Sequence, residues 1–230
     1  MKKLLSRLPL DGLIPLLSCF LINDFVYFIL RIFMEGAHHY DFTTPLDRMI
    51  PFHPPWVSIY FICYIFWVIN YLLIAGLGKE QLYRFVTADI LSRLVCGIFF
   101  VLLPTTNVRP EIVGNGIWEE LMRWLYAVDA PTNLFPSIHC LTSWFCYIGI
   151  RRQPHIAKWY QVFSLIFTIF ICLSTQFTKQ HYLVDVLGGI GLAQLCYSLS
   201  MKYNWYLPVM KFFETINQKV WRKTGRTYGK

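Results

Sequence analysis

Apolar residues in this chain run in long blocks instead of recurring in the stripes of a soluble amphipathic helix. Six blocks stand out, centred on Leu16–Ile32, Trp56–Leu77, Phe85–Leu103, Ser137–Ile150, Trp159–Leu173 and Leu183–Met201. A helical membrane span takes roughly 20 mostly apolar residues, so the fourth and fifth blocks are short and the others ample. The pattern predicts an all-α, polytopic membrane protein, a six-helix transmembrane bundle over residues 1–207 with a tail over 208–230. In the tail, Val209, Phe212, Phe213, Ile216 and Val220 recur at helical spacing, with Lys211, Lys219, Arg222 and Lys223 supplying charge. That spacing predicts an amphipathic helix lying on an anionic inner leaflet.

Composition agrees with the pattern: 56% of residues are hydrophobic and only 15% charged, which argues against a soluble fold. The net charge of +8 is concentrated in the connections. With both termini inside, fifteen lysines and arginines fall on inner segments, and only Arg48, Arg109, Arg123 and Lys179 on outer ones. Basic residues favour the cytoplasmic side. The chain is therefore expected to be a multi-pass protein, in the plasma membrane, with both termini cytoplasmic. No soluble basic face is left over for nucleic acid. The first block follows Lys2, Lys3 and Arg7 as a signal peptide would, but it holds Asn23 and Asp24 and lacks a small-residue cleavage site, so it reads as a retained span. Seven cysteines in apolar surroundings, without a Cys-x-x-Cys pair, imply neither a disulfide framework nor a zinc site. His38, His39 and His53 lack metal-ligand spacing, so no metal and no cofactor is expected.

Ionisable residues at the ends of apolar blocks are costly to keep and mark function. His181 and Asp185 are four residues apart; on a helix the carboxylate lies one turn on, where it can fix the imidazole tautomer and leave the other nitrogen free as a nucleophile. The orientation given by the basic residues brings three segments to the extracytoplasmic side: Pro104–Pro110, Pro136–His139, and the stretch from Ser174 to Asp185. Each suits phosphoryl transfer. Pro136-Ser137 opens a helix whose free N–H groups can receive a phosphate. Ser137 adds a hydroxyl and Arg109 a planar cation for phosphate oxygens. His139 can act as general acid on the leaving oxygen.

Arg109-Pro110, Pro136-Ser137-x-His139, and Ser174 followed by His181 and Asp185 resemble, in order and spacing, the three motifs of the type 2 phosphatidic acid phosphatase and vanadium haloperoxidase superfamily. The resemblance runs from Arg109 to Asp185. It implies a six-helix membrane bundle, a phosphohistidine at His181 oriented by Asp185, and His139 as acid, without metal. Leu102 stands where the family has lysine, Ile138 where it has glycine, and Thr175 where it has arginine. Loss of those two cations is similar to the inositolphosphotransferase and sphingomyelin synthase branch, which moves headgroups between lipids. Lys179 and Arg123 are the candidates to replace them.

The expected function is therefore cleavage of the phosphoester of an amphiphilic lipid in the bilayer. Water needs no dedicated pocket, which puts lipid phosphate hydrolysis slightly ahead, with headgroup phosphotransfer as the alternative. A transporter or non-catalytic lipid-binding protein is the alternative of another class, motivated by six spans and by Asp24 within the first.

Overall fold

The computed structural model describes residues 10–223, with side chains over 12–220. Its helices are α1 (Leu10–Phe33), α2 (Pro45–Met49), α3 (Val57–Ala75), α4 (Lys79–Leu102), α5 (Ile117–Val128), α6 (Ile138–Ile150), α7 (Lys158–Phe177), α8 (Leu183–Lys202) and α9 (Tyr206–Lys223). A single 3₁₀ turn, Pro54–Trp56, leads into α3, and two short strands, β1 (Tyr40–Asp41) and β2 (Thr105–Thr106), pair in parallel. The chain is an all-α integral membrane protein. Five helices, α1, α3, α4, α7 and α8, are long and apolar enough to span a bilayer. The fifth block of the sequence, short by its apolar residues alone, is a full 20-residue helix. The fourth is short in fact: 13 residues rise only about 20 Å.

Helix α6 is the centre of the bundle, packed against α8, α7 and α3, while α4 packs on α1 and α8. Leu141, Phe145, Cys146, Ile148 and Ile150 of α6 are buried in the same core as Phe85, Cys96 and Phe100 of α4. The shortness of α6 lets the preceding connection enter the bundle, where Asn133, Leu134, Pro136 and Ser137 are buried. Irregular backbone at that depth needs internal partners. Thr105 Oγ1 accepts from Leu134 N at 3.0 Å and Phe135 N at 2.9 Å, and Asp185 O accepts from Ser137 N at 3.0 Å.

Hydrogen bonds between connections place the predicted site segments at one end. Tyr40 and Asp41 pair with Thr105 and Thr106, His53 N donates to Phe177 O, and Asn107 Nδ2 donates to Lys179 O. The opposite, basic end is clamped by Arg84, whose Nη1 donates to Ser200 O, Met201 O and Tyr203 O. The tail forms α9 and packs against α4 and α1, with Phe213 buried and Glu214 paired to Lys79 at 2.8 Å. The side chains of Arg222 and Lys223, like residues 1–9 and 224–230 with their basic groups, lie outside the described residues. Phe212 stays 61% exposed, an apolar face available to a leaflet.

Between the spans a closed polar cluster forms. Arg93 pairs with Asp89 at 3.1 Å and donates to Asn23 and Thr142, while Tyr71 OH donates to Asp89. Of the three glycines of α8, Gly188 and Gly189 pack against close neighbours. Gly191 has nothing within 4 Å and plays no such part.

Candidate active site

The connection between α7 and α8 is folded by Thr175 O, which accepts from Gln180 N at 2.9 Å and His181 N at 3.1 Å. This turn delivers His181 beside the first turn of α8. Asp185 at the third helical position reaches back, its Oδ2 accepting Tyr182 N at 2.8 Å and standing 3.5 Å from His181 Nδ1. That separation is an ion-pair distance, and Nδ1 has no hydrogen-bond partner. Burial disfavours the imidazolium, but interaction with Asp185 outweighs it and holds the His181 pKa above the ordinary histidine value. The Nδ1–H of a neutral ring turned to Asp185 leaves the Nε2 lone pair free.

Ser137 caps α6, its Oγ accepting Cys140 N at 3.3 Å. His139 follows in the first turn, and its ring centroid lies 5.8 Å from that of His181. Tyr60, Tyr64 and Trp67 of α3 surround it at 4.4, 6.1 and 5.5 Å between centroids. Both histidines line a cavity of about 400 Å³ whose walls include Asn23, Asp24, Tyr27, Trp124, Asp129 and Gln180. Tyr64, Trp124 and Phe28 on this wall are 47%, 57% and 52% exposed, so the cavity opens at the side of the bundle between α1, α3 and α5.

The expected phosphate cations are placed elsewhere. Arg109 does not line the cavity. Its Nη1 donates to Asp129 O at 2.6 Å and Tyr126 O at 3.3 Å, its Nη2 to Gln180 Oε1 at 2.5 Å, and its guanidinium stacks 4.4 Å from the Tyr126 ring. Burial lowers its pKa against the raising effect of Asp129. Lys179 Nζ donates to Asp47 O and Ile50 O at 2.8 and 2.5 Å, tying down the loop at α2. Arg123 pairs with Glu120 at 2.6 Å and donates to Ile112 O and Gly114 O. Leu102 is 74% exposed, and Thr175 is fully buried against Cys140. Thus His181, Asp185, His139 and Ser137 come together, Arg109 stands one residue behind them, and Lys179 and Arg123 do not reach the cavity.

Three groups escaped the sequence reading. Gln180, 1% exposed, has its Oε1 fixed by Arg109 while its Nε2 has no partner. Asp129 accepts from Tyr27 OH at 2.5 Å and Tyr60 OH at 2.9 Å. Asp47, 2% exposed, accepts Leu183 N at 2.8 Å and so caps α8 from a loop far away in sequence. Only Gln180, next to His181, carried a signal in its position; the others depend on contacts over 69 and 136 residues.

A family model described as the PAP2 superfamily matches residues 32–199, a stretch that holds both histidines, Asp185, Ser137 and Arg109. No curated protein and no solved structure matches the chain.

Proposed function

The chain belongs to the PAP2 superfamily, membership that supports a phosphatase or phosphotransferase type of function, and on that premise we propose that it cleaves the phosphodiester of an amphiphilic lipid through a phosphohistidine at His181. The observation that carries this reading is the cavity wall: two histidines share it with ring centroids 5.8 Å apart, and among the described residues lining it there is no lysine or arginine. A phosphomonoester carries close to two negative charges at neutral pH and a diester one. Each unbalanced charge costs several kcal/mol, as an order of magnitude, in a poorly solvated site.

In the reaction the His181 Nε2 lone pair attacks phosphorus as the bond to the leaving oxygen breaks, and His139 gives that oxygen its proton. Water or an alcohol then loses a proton to His139 as its oxygen attacks phosphorus and the P–N bond breaks. Asp185 holds the His181 ring. The first turn of α6, which Ser137 caps from behind the cavity wall, receives phosphoryl oxygens. Gln180 Nε2 adds a neutral donor, oriented by Arg109 behind it. Substrate enters from the bilayer through the side opening, on the extracytoplasmic side of the plasma membrane if the basic end faces the cytoplasm.

Hydrolysis of a lipid phosphomonoester is the second reading, favoured by the exposed carboxylate of Asp24 on the cavity wall, a group that draws water into the opening. Purified protein is incubated with a phosphatidic acid, a prenyl diphosphate and a phosphatidylinositol, with and without a lipid alcohol. Headgroup transfer or release from the diester supports the proposal. Turnover of the monoester or diphosphate alone overturns it.

A further inference from the structure

Asp129, half-buried on the cavity wall, and Tyr60, buried beside it, form a hydrogen-bonded chain to His139 that neither the motifs nor the mechanism above has used. Tyr60 is fully buried, and its hydroxyl lies 2.9 Å from Asp129 Oδ2 and 3.3 Å from His139 Nδ1. A phenol has one proton to give. Between a carboxylate and a neutral ring nitrogen the charged acceptor forms the stronger bond, so Tyr60 donates to Asp129. Its oxygen is then left to accept from His139, and the proton of the neutral ring must sit on Nδ1. On the other side of the ring, Nε2 lies 3.4 Å from the hydroxyl of Tyr64, which lines the cavity as Tyr60 does not.

The geometry points to Asp129 and Tyr60 as positioning residues of the proton transfer: together they hold His139 in its Nδ1–H tautomer, with Nε2 turned to the cavity as the atom that gains and loses the catalytic proton. This rests on the reading of His139 as general acid. Hydrogen bonding through Tyr60 extends the negative charge of Asp129 toward the ring and favours the imidazolium. The other charged or titratable groups facing the ring are Tyr64 from α3, His181 from the α7–α8 connection, and Arg93 from α4. Burial first and then the cationic ones oppose protonation, which gives Asp129 a countering role. Asp129 is itself fixed independently: Tyr27 OH occupies its Oδ1, and its backbone carbonyl accepts from Arg109.

The full-length protein in lipid nanodiscs, labelled with ¹⁵N-histidine, is examined by NMR, with the His139 signal assigned by its loss in His139→Gln. The wild type should show Nδ1–H and an unprotonated Nε2 above the pKa. In Asp129→Asn the amide can donate to the Tyr60 oxygen, freeing the phenol proton for Nδ1, so the ring should switch to Nε2–H. Tyr60→Phe should lose the Nδ1–H preference, whereas Tyr27→Phe, an equal change on the other carboxylate oxygen, should keep it. In both relay variants the alkaline limb of kcat/KM should move down by about one pH unit. Turnover of a poor leaving group should fall at least about tenfold more than that of a nitrophenyl ester. An Nε2–H tautomer in the wild type, or an unchanged tautomer, pH limb and leaving-group ratio in Tyr60→Phe, overturns the inference. Failure of the reading beneath it shows separately, as His139→Ala turning over both esters at the wild-type rate while the tautomer results stand.

Discussion

Gly189→Ala tests whether the two halves of the site are held in register by the contact of α8 with α6. A Cβ at Gly189 would lie 2.4 Å from Ser137 O, 3.3 Å from Ser137 C and 3.2 Å from Leu141 N, where ordinary contact begins at 3.4 Å. All three are backbone atoms of the first turn of α6, so no side chain can swing away. The carbonyl must retreat by about 1 Å, and Ser137 N, now 3.0 Å from Asp185 O, moves with it. Overpacking of this kind costs about 1–3 kcal/mol. A displacement of about 1 Å between reacting groups can cost on the order of 10²-fold in rate. Gly191→Ala on the same helix meets nothing within 4 Å and removes a helix-interior glycine, worth up to about 1 kcal/mol in favour of the variant. Turnover of a phosphodiester lipid and thermal unfolding in detergent are measured for both. Gly189→Ala should lose stability and at least about tenfold in kcat, and Gly191→Ala should keep both. A Gly189→Ala protein matching Gly191→Ala in rate and midpoint would refute the reasoning.

His181→Ala should abolish covalent labelling by a phosphorus-labelled lipid donor; acid-labile phosphohistidine persisting in that variant would remove His181 as nucleophile. Because Asp185 holds the His181 pKa above the ordinary value of about 6.5, the ring stays protonated and unable to attack to a higher pH than usual. The acid limb of kcat/KM should therefore lie above that value and move to lower pH in Asp185→Asn, where burial acts unopposed; an unmoved limb would assign it to another group. Gln180→Lys, which puts a cation beside His181, should shift preference toward a phosphomonoester by at least about tenfold, or about 1.4 kcal/mol. Leu102→Lys should leave that ratio unchanged, since Leu102 is 74% exposed, and a shift there would show that the end of α4 reaches the substrate.

What could be read from the sequence was local. Apolar blocks located every span, and His181 with Asp185 at helical spacing is one turn of α8 in the structure. Ser137 before an apolar run is a helix cap whose partner lies three residues on. The pairing of Asp89 with Arg93 was likewise within reach as neighbours four apart on one helix. The roles of the outer cations were not legible, because a basic residue in a connection has the same sequence signature whether it faces substrate or caps a carbonyl. Lys179 and Arg123 end on backbone oxygens that no spacing rule selects. The length of α6, in contrast, was legible, since the block from Ser137 to Ile150 matches the helix Ile138–Ile150.

The two polar groupings inside the bundle differ in how completely they are satisfied, and that difference separates structure from chemistry. Around Arg93 each charge meets an opposite charge, a hydroxyl or the Asn23 amide, Asp89 is fully buried, and the network ties α1, α3, α4 and α6 together. Removing either charge would strand the other, at a cost of about 3–5 kcal/mol. Around His181 the balance is left incomplete: Gln180 Nε2 and Thr132 Oγ1 are buried without hydrogen-bond partners. Both residues line the cavity shared by His139 and His181. Unmade hydrogen bonds of buried groups cost about 1–3 kcal/mol each, so a fold that retains two such donors in one cavity holds in reserve the interactions that a bound phosphoryl group can complete. The closed cluster fixes α4, α1 and α6 in place, and the incomplete one is where a ligand gains most by binding.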